Sequence, residues 1–190
     1  MSDPPSAADV LETPRLRLRP PRDEDVEPLF AIQGDADAMR FTFHARDREA
    51  TRRHLRAWDR TRTREGWAPW TVLAKEDGAV IGWGGLGRDP DDPRWGPEVV
   101  YFLRRDRWGR GLATELARAA LRLAFEERGL REVTAFVRPE NAASQRVLAK
   151  CGFRRVGPVP ELGRDRYTVT GAAWRAACGG RETAAGATGP

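Results

Sequence analysis

Apolar residues change their spacing along this chain, and the changes mark out alternating strands and helices. Leu16 and Leu18 alternate with arginines as a strand requires, and the run stops at Pro20-Pro21. Asp23 or Asp25 can cap a helix that turns Val26, Leu29, Phe30 and Ile32 inward, provided that Pro28 lies in its first turn. Residues 47–64 read as a second helix, rich in arginine, with Ala50, Leu55 and Trp58 on a thin apolar side. Trp70 to Ala74 and Ala79 to Leu86 predict a hairpin around Glu76-Asp77-Gly78, and Asp89 to Pro97 reads as a loop. Glu98 to Leu103, EVVYFL, is nearly continuous in apolar residues, the pattern of a buried strand. Leu112 to Arg128 carries Leu112, Leu116, Ala120, Leu123 and Ala124 at helical spacing, with Gly129 as the stop. Val133, Ala135 and Val137 mark another strand, and Asn141 opens a short helix that ends at Gly152. Arg154 to Val156 and Tyr167 to Thr170 read as closing strands. The order predicts one α/β (α+β) domain over residues 13–175, with a flexible polar tail at 1–12 and a disordered Gly-rich tail at 176–190.

Composition narrows the class. At 190 residues the chain suits one core, and 40% apolar with 32% charged residues is the globular range. The net charge of +5 comes almost wholly from arginines scattered among acids, with Lys75 and Lys150 the two lysines. That scatter argues against a nucleic-acid face and leaves a field that favours an anionic ligand. No basic start leads into an apolar run and no stretch reaches membrane-spanning length, so a cytoplasmic protein is expected. Cys151 and Cys178 are too few for a disulfide framework or a zinc site, and His44 and His54 lack partners at ligand spacing. No metal is expected.

The densest chemistry follows the buried strand, in Trp108-Gly109-Arg110-Gly111-Leu112-Ala113. Gly109 and Gly111 remove side chains where a ligand must approach the backbone. The first helical residues, Leu112, Ala113 and Thr114, present unpaired N–H groups and the positive end of a dipole. Each charge–dipole contact there contributes about 0.3–1 kcal/mol to holding a diphosphate, and Arg110 adds a donor that can contact phosphate. Spacing alone fits a tight turn equally well, and the loop matches neither GxGxxG nor GxxxxGK[ST].

The context is more specific. The order EVVYFL, WGRGLA, helix, strand and then the block from Arg138 to Phe153 (RPENAASQRVLAKCGF) resembles the GNAT superfamily of N-acetyltransferases. With TPRLRLR at 13–19 and DAMRF at 37–41, it resembles the branch containing RimJ and RimL, over roughly residues 13–175. The resemblance implies a mixed, largely antiparallel sheet of about six or seven strands flanked by about four helices. It implies acetyl-CoA as co-substrate, with the pyrophosphate on the Trp108–Ala113 loop and the Thr114 turn behind it. Tyr101, Phe102 and Leu103 would pair with the pantetheine amides, an N–H at or beside Leu103 would polarise the thioester carbonyl, and Asn141 would lie near the cofactor arm. Trp108 departs from the Gln or Arg usual at its place. Structural roles compete with each assignment: Asn141 as an N-cap near Ser144, Tyr101 and Phe102 as core, Trp108 as packing beneath the loop.

The implied reaction is acetyl transfer to a primary amine, of a protein N-terminus or a small molecule, by direct attack in a ternary complex. Deprotonating an α-amine of pKa near 8 at pH 7 costs about 1 kcal/mol, against over ~4 kcal/mol for a lysine. The tyrosine acid that many members carry seven residues after the helix asparagine is replaced here by Leu148. That leaves Glu98 as candidate base, Ser144 as candidate acid at the position the branch uses, and Tyr101 as a second hydroxyl; Glu98 reads equally as a solvated strand end, and Ser144 as a cap or surface serine. The resemblance puts the acceptor groove along about Gln33 to Arg46, which carries Asp35, Asp37, Met39, Arg40, Phe41 and Phe43. His44 and His54 read as surface histidines and Cys151 as packing, so no Cys/His nucleophile pair is evident. The rival class is a non-catalytic acyl-CoA-binding module on the same fold, which Leu148 supports. A homodimer is left open.

Overall fold

The computed structural model describes residues 10–179. One sheet carries the chain, in the order β1 (Leu11–Glu12), β2 (Leu16–Arg19), β3 (Trp70–Ala74), β4 (Val80–Gly87), β5 (Glu98–Leu103), β6 (Glu132–Val137), β8 (Arg164–Thr170) and β7 (Arg154–Val159). Every neighbouring pair is antiparallel except β5 with β6. The helices are α1 (Val26–Gln33), α2 (Arg48–Glu65), α3 (Leu112–Arg122), α4 (Ala142–Lys150) and α5 (Gly171–Gly179), with α3 continuing as a π-helical stretch over Leu123–Glu127.

Local chemistry explains the boundaries. A 3-10 turn at Asp23–Asp25 precedes α1, so Pro28 falls in the first helical turn, where its missing N–H costs nothing. Asp47 caps α2 by accepting the Ala50 N–H at 2.7 Å. The buried Asp25 carboxylate is fully engaged: Arg19 donates to it at 2.6 and 2.7 Å, and the Thr71 hydroxyl at 2.8 Å. Such pairing offsets the desolvation of both charges and ties α1 to β2 and β3.

The apolar residues form two clusters that share the sheet. One gathers Leu116, Leu121, Val133 and Leu148 with α3, and includes Phe125 against Trp174 of α5 at 5.7 Å between ring centroids. The other gathers Leu29, Ile32, Met39, Leu55, Trp58 and Trp83 with α1 and α2. Strand β5 serves both, with Val99 and Leu103 in the first and Phe102 in the second, as the period-2 pleat requires.

Eight strands and five helices exceed the six or seven and four that the resemblance implied. The first addition is β1, which lies inside the stretch read as a tail and pairs Leu11 with Leu18; two residues are too few to show a periodicity. The second is α5, which runs past the expected domain end at 175 and seats Trp174 in the core. Its small residues leave no apolar stripe to read. The rest of both expected tails lies outside the described residues. Among the described residues, no helix is long and apolar enough to cross a membrane.

One irregularity positions the site. β5 and β6 pair only at Glu98 and Thr134, where the Thr134 N–H donates to Pro97 O at 2.9 Å, and beyond that point the two strands are unpaired. On its other edge β5 pairs with β4 throughout, from Glu98–Gly87 to Leu103–Gly82. The Arg104 N–H donates to Ile81 O at 2.8 Å, which assigns the even-numbered residues to the β4 ladder. The backbone groups of Tyr101 and Leu103 therefore face the gap.

Candidate active site

After β5 the chain makes a 3-10 turn at Arg105–Arg107 and enters the glycine loop. Arg107 is buried and its guanidinium donates to Glu76 and, at 2.6 Å, to Asp77, which anchors the loop to the β3–β4 hairpin turn. The Trp108 indole is 47% exposed, yet its Nε1 donates to Leu103 O at 2.7 Å and ties the loop to the strand end. Gly109 and Gly111 have φ of +75° and +79°, a left-handed conformation that costs an L-residue about 1–2 kcal/mol. A Cβ at Gly109 would meet no atom within 4 Å, so conformation and an open approach, not crowding, select glycine there.

Gly111 is the N-cap of α3 and supplies no side-chain acceptor, leaving the amides of Leu112, Ala113 and Thr114 without intrahelical partners. The acid in that turn, Glu115, is turned away: it accepts the Thr13 hydroxyl at 2.6 Å, the Arg15 N–H at 2.8 Å and the Arg15 Nε at 2.7 Å. No carboxylate then competes with an incoming anion. The Arg110 guanidinium lies 3.5 Å from Glu76 and does not line the cavity described below, while its carbonyl accepts Arg15 Nη1 at 2.7 Å.

A cavity of about 280 Å³ lies between the end of β5, the loop and α4. Tyr101, Phe102, Leu103, Trp108, Gly109, Gly111, Leu112, Ala113, Thr114 and Asn141 all line it, so it gathers every cofactor residue expected from the sequence except Arg110. Ser144 lines it too. Its donors are the α3 amides and the gap-facing edge of β5, a set that suits an anion with an amide-bearing arm. Asn141 is indeed an N-cap, since its Oδ1 accepts the Ser144 N–H at 3.1 Å, and it borders the cavity as well.

A second cavity, also of about 280 Å³, adjoins the first through Phe41, Thr42, Tyr101, Phe102, Asn141 and Ser144. Glu98 lines this one alone and is 6% exposed, not a solvated strand end. Burial, reinforced by the negative charge of Asp89, pushes its carboxyl up to about 8, with Arg164 opposing. Burial likewise pushes the Tyr101 phenol up to about 12; the neighbouring Ser144 hydroxyl opposes the shift, although the two make no hydrogen bond of standard geometry. Leu148 is 1% exposed and brings no hydroxyl.

The far wall of this cavity is aromatic. His54 stacks on Phe43 with ring centroids 4.8 Å apart and meets the edge of Trp83 at 4.9 Å, while Trp83 packs on Trp58 at 5.5 Å and Phe102 at 5.7 Å. His54 is thus a wall residue, not the surface histidine expected; burial takes its pKa down to about 4, and its buried Nε2 has no hydrogen-bond partner among the described residues. His44 is exposed. In the expected acceptor loop, Phe41 and Phe43 reach the second cavity and Arg40 the first. Met39 is in the core, and Asp35 closes its own turn through the Asp37 and Ala38 amides at 3.0 and 3.1 Å and lies 3.9 Å from Arg105. Asp37 lies 3.4 Å from Arg105. Asp89, Trp83, Arg138 and Arg164 also line the second cavity and were missed. They come from separate strands and loops, and the sole local signal was Arg138 at the head of the RPEN block. Among the described residues, no group of three or more His, Cys, Asp or Glu is arranged to hold a metal ion.

Comparison with known proteins agrees with this geometry. The family model described as the acetyltransferase (GNAT) domain matches residues 15–154. The chain is 32% identical over 149 residues to the uncharacterized protein YkkB of Bacillus subtilis, covering 78% of this chain and 87% of that one. It is 30% identical over 187 residues to FsC-acetyl coenzyme A-N(2)-transacetylase of Aspergillus fumigatus, covering 88% and 79%. Among solved structures, an acetyltransferase from Agrobacterium tumefaciens superposes with a TM-score of 0.73 at 22% identity, covering 89% of this chain and 98% of that one. Mycobacterium smegmatis RimJ in complex with CoA-disulfide gives 0.66 at 25% identity, covering 87% and 90%. Because other members superpose at least as well, the RimJ/RimL branch is not singled out. The family model spans most of the described chain and a relative above 30% identity spans three quarters of it; the chain belongs to the GNAT acetyltransferase family.

Proposed function

We propose that the protein transfers the acetyl group of acetyl-CoA to a primary amine, of a peptide N-terminus or a small molecule, by direct attack in a ternary complex. The observation that carries this reading is the meeting of two unlike cavities at Tyr101, Asn141 and Ser144, across the gap between β5 and β6. Acetyl-CoA supplies the activated acetyl thioester. In this reading the α3 amides and the Gly109–Gly111 backbone hold its pyrophosphate, and the free edge at Tyr101 and Leu103 pairs with the arm's amides. The Leu103 N–H then serves as a donor to the thioester carbonyl.

Glu98 acts as the base. At about 8 it matches an α-amine, so proton transfer is close to thermoneutral, whereas a lysine amine near 10.4 would hold its proton by about 3 kcal/mol. Tyr101 supports the leaving group in a different way. A thiol near 8.5 is too weak a base in its thiolate form to deprotonate a phenol near 12, so Tyr101 stabilises the sulfur by donating a hydrogen bond. Ser144 is the adjacent hydroxyl on the same cavity wall. The transfer needs no covalent enzyme intermediate, since Cys151 is buried in the core and lines neither cavity. The name of the Aspergillus relative, an N(2)-transacetylase, is consistent with a nitrogen acceptor.

Titration with acetyl-CoA, followed by a thiol-release assay over amines and peptides, tests this. Saturable binding and amine-dependent thiol release are expected. Binding without turnover for any amine would instead identify a non-catalytic acyl-CoA-binding module, and no binding would defeat both readings.

A further inference from the structure

Glu98 is not the only ionisable group in the second cavity. Arg138 and Arg164 line it as well, Arg164 half-buried and Arg138 exposed at the end of β6. Among the described residues neither has a carboxylate within 4.0 Å, although the cavity is also bordered by Asp89 and Asp91. Asp89 is partly occupied by its own turn, accepting the Asp91 N–H at 2.8 Å and the Asp92 N–H at 3.3 Å. The two guanidinium groups are close enough to repel: Arg164 is held below its usual pKa by burial and then by Arg138, against the pull of Glu98 and Asp89. Two like charges face one partly dry cavity with Asp89 acting on Arg164 only at a distance and, among the described residues, no carboxylate in ion-pair contact with either; a bound carboxylate would relieve their repulsion, and guanidinium groups match carboxylates in a two-pronged geometry.

The rest of the wall completes the recognition. His54, Trp58, Trp83 and Phe102 form an aromatic surface, and His54 is neutral there, so that side offers apolar contact and no competing charge. A volume of about 280 Å³ is at the lower end for ligand pockets, which excludes a bulky acceptor from full entry.

We propose that the acceptor is a compact amine bearing a carboxylate on an apolar body, a hydrophobic α-amino acid or a close analogue, whose carboxylate is taken by Arg138 and Arg164. This rests on the acetyl-transfer reading above. In the transfer the amine nitrogen forms the new C–N bond, the thioester C–S bond breaks with its electron pair going to sulfur, the amine proton goes to Glu98, and the CoA thiolate takes up a proton. A peptide N-terminus carries an amide where this carboxylate would sit and would leave both arginines unmatched.

The test compares L-phenylalanine with L-phenylalaninamide in the thiol-release assay. The amide has the less basic amine, so a preference for the acid cannot come from easier deprotonation. The wild-type protein is expected to favour phenylalanine in kcat/KM by at least about 10-fold, from charge-assisted hydrogen bonds. Arg138→Gln and Arg164→Gln should each bring that ratio towards one by raising KM for phenylalanine. Arg138 is exposed, so its variant reports even where loss of the half-buried Arg164 disturbs folding. Equal use of the amide by the wild type, or a ratio unmoved in both variants, would overturn the proposal. If acetyl-CoA binds but neither amine turns over, calorimetric titration of phenylalanine into the CoA complex decides: binding that weakens in the arginine variants supports it, and no binding ends it. Failure to bind acetyl-CoA would instead strike the acetyl-transfer reading, and titration of phenylalanine into the protein alone then judges the carboxylate site on its own.

Discussion

The two cavities have the same volume, about 280 Å³, and opposite constructions. The first draws its donors from backbone, the left-handed glycines, the unpaired amides of α3 and the free edge of β5, all within residues 101–114, which supply half of its lining; residues 38–42 and 141–150 supply the other half. The second is made of side chains contributed by α2, β4, β5, β6, α4, β8 and the loops before α2, after β4 and after β6. A backbone site fixes donors in place without choosing a side chain, so it suits the invariant part of a reaction. A side-chain site takes its chemistry from burial. Here burial moves Glu98 up and His54 down, and removes charge from both at neutral pH.

The sharpest way to separate the two is Glu98→Gln. Because Glu98 lines only the second cavity, acetyl-CoA affinity measured by calorimetry should stay within about twofold. Turnover should fall about 10²- to 10⁴-fold, the usual contribution of a general base. The wild-type kcat/KM should climb with pH and level off above about 8, as Glu98 loses its proton. In the variant only the titration of the amine itself should remain. An unchanged turnover would return Glu98 to a purely structural role and leave the second cavity without a base.

Stability gives the same contrast without an assay for activity. Folded Glu98 titrates near 8 against 4.5 as its ordinary value, so between these limits the native state keeps a proton that the unfolded chain has lost. Stability from this group therefore falls as pH rises from about 4.5 to 8, by a few kcal/mol at most. His54 works the other way: folded near 4 and ordinarily 6.5, it contributes stability above 6.5 that is lost as pH falls towards 4. Urea unfolding across pH 5–8 should show Glu98→Gln gaining on the wild type steadily with pH. His54→Phe should gain on it only at the acid end. Two parallel wild-type and variant curves would mean that the second cavity is wetter than its burial indicates.

This contrast also explains what could be read from the chain alone. Glu98–Leu103, the glycine loop and α4 lie in a window where strand period, positive-φ glycines and an N-cap asparagine each leave a local signature, and each fell where the spacing put it. Glu98 was legible as a candidate, but its shift depends first on burial and then on Asp89, which belongs to a loop that only folding brings near. The partner of Arg110 was hidden for a similar reason, since Glu76 belongs to a hairpin turn 34 positions away. His54, Trp83 and Arg164 sit on three elements with no shared spacing, so a helix that looked merely arginine-rich hid part of an aromatic wall.

A smaller effect probes the backbone site. Gly111→Ala keeps an open position, with only Arg15 Nη2 at 3.6 Å from the new Cβ, but must hold φ near +79°. The strain of about 1–2 kcal/mol predicts acetyl-CoA binding weaker by roughly 5- to 30-fold if the loop relaxes to relieve it. The carboxylate preference tested at Arg138 and Arg164 should not move with it. A coupled loss of both would show that the cavities behave as one site.

The smallest expected change belongs to Trp108→Phe, and it asks which side of the boundary the Leu103 carbonyl serves. That carbonyl faces the β5–β6 gap and is occupied by the Trp108 indole at 2.7 Å. Removing one such bond at a part-exposed site costs about 1 kcal/mol net, and the loop it ties should lose order before the sheet does. Acetyl-CoA binding is then expected to weaken about threefold to fivefold, with a melting temperature almost unchanged, because the ring is nearly half exposed and adds little to the core. Binding that tightens instead would mean that the indole competes with the ligand for the strand edge, and that Leu103 O belongs to the cofactor side rather than to the loop's own anchorage.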